Sequence, residues 1–464
     1  MKAVIGLEIH VHLLTESKLF CSCSADYENK EPNASTCPIC LGFPGSKPVI
    51  NKKTIDLVIM IAKALNCKIA PEIFFSRKTY FYPDMAKNFQ ITQYEIPLAK
   101  GGQLEIFDKD IRIRRVHIEE DPAKLVHVGG GITSAQYVLI DYNRSGMPMA
   151  EIVTDPDFSD TKEVREFLSK LQSILEHLEV FDASKEGSIR VDANVSIEGG
   201  TRVEVKNISG FANVEKALNY EIVRQKNLLQ MGMQVGRETR HFDADTKTTT
   251  TLRKKETEED YGYIFEPDLT MIEIGKVWVD KLSEKMPELP DQRIERFVKK
   301  YRLPERDAKV IVYVDKVLAD FFEECVKLFN EPTYVSRWIV TDLLKVLNWN
   351  DLTIRKSKLS PKAFVEFLKT MNKGEITERL GKELIKELVP TGKSIKELLK
   401  GKDLPKKLDL EAVVKEVLKE NPKAVQDYKA GNEKSIQFLI GQVLRKTKTA
   451  GDPNKIKELL KRLI

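Results

Sequence analysis

The stretch Gly6–Leu13 reads GLEIHVHL, and it alternates. Successive side chains of an extended chain point to opposite faces, so Leu7, Ile9, Val11 and Leu13 share one side and Glu8, His10 and His12 the other. A strand with a wetted outer face is the plainer reading. The whole chain holds only 6 histidines, however, and two of them stand in this row beside a carboxylate. That is metal-ligand and proton-transfer chemistry. The stretch predicts a half-buried strand and leaves the purpose of its polar face to the other segments.

Similar rows recur through residues 1–300. In IRIRRVHIEEDPAK (Ile111–Lys124), Arg115, His117 and Glu119 share a face, and Glu120 and Asp121 close the strand. Tyr137–Asp141 reads as a strand and Asn143–Gly146 as a turn. Glu151 stands beside Ile152 and Val153, an expensive place for a carboxylate unless a cation meets it. Ser188–Asn207 reads as a hairpin. Arg190, Asp192, Asn194 and Ser196 alternate with apolar residues, Gly199-Gly200 supplies the turn, and Arg202, Glu204 and Lys206 return on one side. Were these strands in one curved sheet, they would enclose oxygen and imidazole ligands for a divalent ion, with cations for phosphate.

Four of the 6 cysteines lie in CSCSADYENKEPNASTCPIC (Cys21–Cys40). Cys21 and Cys23 form one close pair and Cys37 and Cys40 another, with Pro38 and Gly42 turning the chain around the second. Two such pairs bring four thiolates around a tetrahedral Zn²⁺. Two disulfides are the alternative, and the weaker one in a reducing compartment. Four thiolates leave the ion no open position, so such a zinc braces the fold. Cys67 and Cys325 fall in apolar helical patterns and read as buried thiols.

With 464 residues, 42% hydrophobic and 31% charged, the chain is expected to fold into two or three soluble domains. Thr54–Cys67 is too short and too charged to span a membrane and reads as a core helix. MKAVIG passes straight into the first strand, which leaves no room for a leader and predicts a cytoplasmic protein. The net charge is +5, but Gly401–Ile464 alone carries 15 Lys+Arg against 9 Asp+Glu. A solvated Lys/Glu helical surface explains that surplus most simply, and an anionic partner is the sharper reading. No P-loop, dinucleotide or nucleophile-elbow motif is present, and no cysteine is placed as a nucleophile. After Lys285–Arg293 the pattern turns helical, predicting helices at Arg293–Tyr301, Asp307–Phe329, Val335–Leu347, Pro361–Asn372 and Thr377–Leu388, with a break at Pro390–Gly392.

GLEIHVHL, YFYPDMAKNFQITQ, HIEEDPAK, DYNRSGMPMAEIVTDPD, RVDANVSI and VEVKN, continued by ETRHFD, EEDYGYIFEPDL, PELPDQR and FLIGQV, together resemble the B-type component of the tRNA-dependent amidotransferases, the GatB family. The resemblance implies an α+β chain. An antiparallel β-sheet cradle with flanking helices would occupy 1–290, including a zinc-binding insertion at 21–40. An all-α helical domain would follow at 291–400, then a small helical tail at 401–464 that contacts tRNA through Arg445, Lys446 and Lys448. It further implies a carbon–nitrogen ligase that works in a heterotrimer with a glutaminase chain and a small third chain. The substrate is Glu-tRNA(Gln) or Asp-tRNA(Asn), and the GatB chain uses ATP to phosphorylate the aminoacyl carboxylate before ammonia displaces the phosphate. By the same likeness, His10, Glu119 and Glu151 bind Mg²⁺. Glu8 and Glu120 join them in catalysis, while Arg190, Asp192, Asn194, Lys206 and Asn207 line the ATP and substrate site. His12 stands where the family more often has Gln or Glu, which implies a supporting role. The related archaeal, glutamyl-specific enzyme carries an inserted domain for which the residues after Pro267 leave no room. A noncatalytic, zinc-containing tRNA-binding module is the alternative, but it gives the acidic row no purpose.

Overall fold

β1 (Ala3–His12) is the middle strand of a nine-stranded sheet, and its alternation is that of the sequence: Ala3, Ile5, Leu7, Ile9 and Val11 are buried on one face. The computed structural model describes residues 1–464 apart from 131–134, 184, 186, 255–260, 401–409, 431, 433 and 447–452. Its two compact units are Met1–Arg293 and Ile294–Ile464.

In the first unit β1 is followed by β2 (Lys68–Ile69), β3 (Glu72–Ile73), β4 (Ser76–Thr79), β5 (Phe89–Thr92), β6 (Ala99–Ile106), β7 (Lys109–Glu120) and β8 (Lys124–Val128). Next come β9 (Tyr137–Asp141), β10 (Pro148–Thr154), β11 (Ile189–Ile197), β12 (Val203–Ile208), β13 (Glu238–Asp243), β14 (Thr248–Lys254), β15 (Gly262–Phe265) and β16 (Ile272–Glu273). The large sheet runs β14-β13-β12-β11-β1-β10-β7-β6-β2. Its neighbours are antiparallel except for the parallel pair β12–β13. Helices Lys52–Ala64, Thr161–His177 and Phe211–Gln230 join its apolar face in one core through Ile55, Val58, Phe167, Leu171, Val214 and Leu218. Each such side chain, fully buried, contributes about 1.5–3 kcal/mol. The first two helices start where Asn51 and Asp160 accept hydrogen bonds from the backbone N–H groups of Lys53 and Lys162.

The second unit is helical, and it corrects three expected boundaries. The segment Asp307–Phe329 is two helices, Glu305–Val314 and Lys316–Leu328. Asp315 between them is extended and accepts a 2.8 Å hydrogen bond from the Val317 N–H, so its capping side chain starts a new helix where the apolar period alone runs on. Val335–Leu347 is Pro332–Trp338, a π-helical turn at Ile339–Leu343, and Leu344–Trp349. The helix expected at Thr377–Leu388 runs Glu378–Thr391, through Pro390, and the expected break falls on the last residue of Pro390–Gly392. The chain turns at Gly392 (φ 65°), where a Cβ would stand 2.3 Å from the Lys358 carbonyl oxygen, so glycine is required. Pro361–Asn372 forms as expected.

Phe297, Phe322, Trp338, Phe364 and Phe367 belong to the larger core of this unit. Ile436, Leu439, Ile440 and Val443, the stripe expected in the tail, are buried in a smaller one with Val414, Val417, Ile456 and Leu460. Arg445 and Lys446 end helix Lys434–Lys446, exposed; Lys446 pairs with Glu416 at 2.9 Å and Glu420 at 2.5 Å. Lys448 lies outside the described residues. Among the described residues, no helix is long and apolar enough to cross a membrane.

Candidate active site

Register places the polar rows on one face of the sheet. His10 stands opposite Glu151 of β10 and Arg190 of β11, and Glu8 opposite Asp192. Glu151 in turn faces His117 of β7, and Met149 faces Glu119. A one-residue slip of any strand would send its whole polar set into the apolar core, so burial of the other face fixes this convergence.

At the centre, His10 Nε2 lies 3.4 Å from Glu119 Oε1 and 3.6 Å from Glu151 Oε2. Both carboxylates are buried. Neighbouring ligands of a hexacoordinate Mg²⁺ stand roughly 3 Å apart, so three donors within 4.8 Å of one another fit such an ion with little movement. The cation that Glu151 demanded is present as well. His117 Nε2 lies 3.0 Å from Glu151 Oε2 and 3.8 Å from Glu119 Oε2. Burial disfavours charge on His117, but Glu151 and Glu119 outweigh it and raise its pKa to about 9. Burial likewise opposes the Glu151 charge, and His117 and His10 overcome it, holding that carboxyl well below the usual range.

Beside this cluster Lys206 Nζ sits 2.9 Å from Asp192 Oδ2 and 3.1 Å from Glu204 Oε1. The pairing of β11 with β12 shifts between Val191 and Ala193, and Asn207 there takes φ 56°. Its N–H leaves the ladder and donates to Asp192 Oδ1 at 2.7 Å. Asn194 Nδ2 donates to Glu8 Oε1 at 3.0 Å. Burial, then the Glu151 charge, raises the Glu8 pKa. Glu8, Asp192 and Glu204 offer a second set of oxygens within 4.8 Å, but the Lys206 ammonium already bridges two of them.

Other expected residues are committed to holding the site together. Asp121, 1% exposed, receives Arg190 Nη2 at 2.5 Å and Arg144 Nε at 3.3 Å, and lies 2.6 Å from His12 Nε2. His12 therefore supports Asp121 and stands outside the metal cluster. Glu120 accepts from Lys87 Nζ at 2.5 Å and from the Ile91 N–H at 2.9 Å. Lys87 packs against Gly42, where a Cβ would come within 2.5 Å of the lysine Cγ.

The sulfurs of Cys21, Cys23, Cys37 and Cys40 lie within 4.8 Å of one another, and none of the cysteines is in a disulfide. A tetrahedral zinc with bonds of about 2.3 Å needs sulfurs roughly 3.8 Å apart, so the four fit one ion. A hydrogen bond from Cys21 and the Lys18 ammonium lower the Cys40 pKa to about 5 despite burial. The Cys37 N–H donates to Cys40 Sγ at 3.2 Å, closing the second turn.

Residues 3–280 match the sequence profile of the GatB/GatE catalytic domain and 320–464 that of the GatB domain. The chain belongs to the GatB family. The B component of the aspartyl/glutamyl-tRNA(Asn/Gln) amidotransferase of Sulfolobus acidocaldarius is 47% identical to it over 99% of this chain and 98% of its own length. The protein of the same name from Saccharolobus solfataricus is 46% identical over 99% and 98%, and that of Thermotoga maritima 45% over 100% and 99%.

The sequence reading did not single out His117, Asp121, Lys87 and Arg144, which the structure places around the acidic cluster, or Lys18, which it places at the cysteines. For His117 the signal was present, since it shares a face with Glu119. Lys18, in TESKLF, carries no mark in the sequence of its burial.

Proposed function

We propose that this chain is the activating component of a tRNA-dependent amidotransferase, a carbon–nitrogen ligase. It converts Glu-tRNA(Gln), Asp-tRNA(Asn) or both to the amide forms in the cytoplasm. The reading is carried by the buried meeting of His10, Glu119 and Glu151, in a chain that aligns end to end with amidotransferase components of that name.

A carboxylate resists ammonia because its leaving group would be oxide. Transfer of the γ-phosphoryl group from ATP to a carboxylate oxygen, with ADP departing, makes that oxygen a leaving group. Ammonia then attacks the acyl carbon, phosphate departs with the C–O electron pair, and the nitrogen loses a proton. Mg²⁺, when bound, supplies charge neutralisation at the transferring phosphoryl. His10, Glu119 and Glu151 would hold that ion, and the His117 ring, 3.0 Å from Glu151 Oε2, fixes the rotamer of that carboxylate. Glu8, Asp192, Asn194, Lys206 and Asn207 form the wall that faces ATP and the aminoacyl end. Asp121 fixes Arg190 and Lys87 fixes Glu120.

Ammonia comes from a glutaminase partner chain, with a small third chain completing a heterotrimer. The four cysteines hold a structural Zn²⁺. The tail from 401 onward, the last part of the second unit, contacts tRNA, with Arg445 as an exposed cation and Lys446 shared with Glu416 and Glu420.

The test is turnover. With ATP, Mg²⁺, both partner chains and each misacylated tRNA, ADP formation should depend on the aminoacyl-tRNA. Retention of tRNA without ADP formation would leave a noncatalytic zinc-containing binding module.

A further inference from the structure

We infer that Lys18 is the internal counter-cation of the four-cysteine centre and ties that centre to the turn at 141–146; this rests on reading the cysteines as a zinc site. Lysine is among the residues least often buried, yet Lys18 is 0% exposed. An ammonium has three N–H donors, and Lys18 Nζ has three acceptors: the Ser35 carbonyl at 2.8 Å, the Tyr142 carbonyl at 3.3 Å and Cys40 Sγ at 3.8 Å. None of the three is a carboxylate, so among its hydrogen-bond acceptors the sulfur is the one that supplies opposite charge to a cation withdrawn from water, with Glu120 Oε2 the carboxylate beside them, 3.9 Å from the position of a Cβ at Gly146.

The need is mutual. Four thiolates bring two more negative charges than one Zn²⁺ neutralises, and they lie in a partly buried knuckle. A cation donating to one of the sulfurs draws off part of that excess, which holds the metal more firmly and makes the sulfur less reactive. The backbone repeats the link: the Lys18 N–H donates to the Cys23 carbonyl at 2.9 Å, so Lys18 touches both cysteine pairs. On the other side the Leu19 N–H donates to the Gly146 carbonyl at 2.8 Å, and a Cβ at Gly146 would lie 3.6 Å from both Cys40 Cβ and Lys18 Cδ. That turn carries Arg144, whose guanidinium holds Asp121.

The experiment compares the zinc-loaded full chain with Lys18→Met, which keeps the length and removes the charge, and Lys18→Gln, which keeps donors without charge. Zinc content is measured by elemental analysis and affinity by competition with a chromophoric chelator. The expected result is near-stoichiometric zinc in the wild type and affinity at least ~10-fold weaker in both variants, with a shifted sulfur-to-metal band after Co²⁺ substitution. Wild-type affinity and spectrum in a folded variant would overturn the lysine's role and leave the zinc site standing. A wild type that takes up no zinc would overturn both. Variants that fail to fold with or without zinc would assign Lys18 to the general core and overturn the proposal too.

Discussion

His117 Nε2 stands 3.0 Å from Glu151 Oε2, and neither residue is more than 8% exposed. An imidazole held on a carboxylate that also serves a metal fixes the carboxylate's rotamer, and removing such partners typically weakens metal affinity about 10–100-fold. His117→Asn should therefore raise the Mg²⁺ concentration needed for half-maximal ADP formation by about that factor. An unchanged midpoint would make His117 a packing residue.

Glu151→Gln keeps the shape of the side chain and removes its charge. Transamidation should fall at least ~100-fold, in keeping with the loss of a group that acts on transition-state charge. tRNA affinity, read by filter binding, should stay within about twofold, because direct docking energy comes from phosphate contacts. Parallel losses in both measurements would assign Glu151 to the fold.

Asp121 is the meeting point of Arg190, Arg144 and His12. Asp121→Ala leaves two guanidinium groups without their buried partner, a change that typically costs about 3–5 kcal/mol. The urea midpoint of the first transition should drop accordingly. Arg144→Lys, which loses the forked donor but not the charge, should cost less.

Truncation before Gly401 should weaken tRNA binding and flatten the slope of log affinity against log salt. Arg445→Ala should reproduce part of that loss, whereas Lys446→Ala should do less, because Glu416 and Glu420 already hold its ammonium. A salt slope untouched by truncation would remove the tail from tRNA recognition.

The sheet was legible because a two-residue period has one reading when the apolar set is strong. GLEIHVHL and the Ser188–Asn207 hairpin lie on strands of the large sheet, where the polar rows meet, while Tyr137–Asp141 is a strand of a separate two-stranded sheet with Lys124–Val128. His10, Glu119 and Glu151 come together for that reason. Residues whose role depends on a distant loop were not legible. Asp121 reads as a strand end and becomes a hub only when Arg144 and Arg190 arrive from elsewhere. The helical unit departs from the period where a local residue competes with it: Asp315 caps a new helix, and the last turn runs on through Pro390 to Gly392, whose left-handed conformation closes it.

The close seating of Gly42 on Lys87 extends the reach of the cysteine knuckle. Even a methyl group at 42 must push the lysine aside, and the lysine holds Glu120, the neighbour of a proposed ion ligand. Drift in a surface loop far along the chain is thereby restrained by the acidic cluster on the sheet. The knuckle can change its outer face, but the point that rests on Lys87 has to keep its shape.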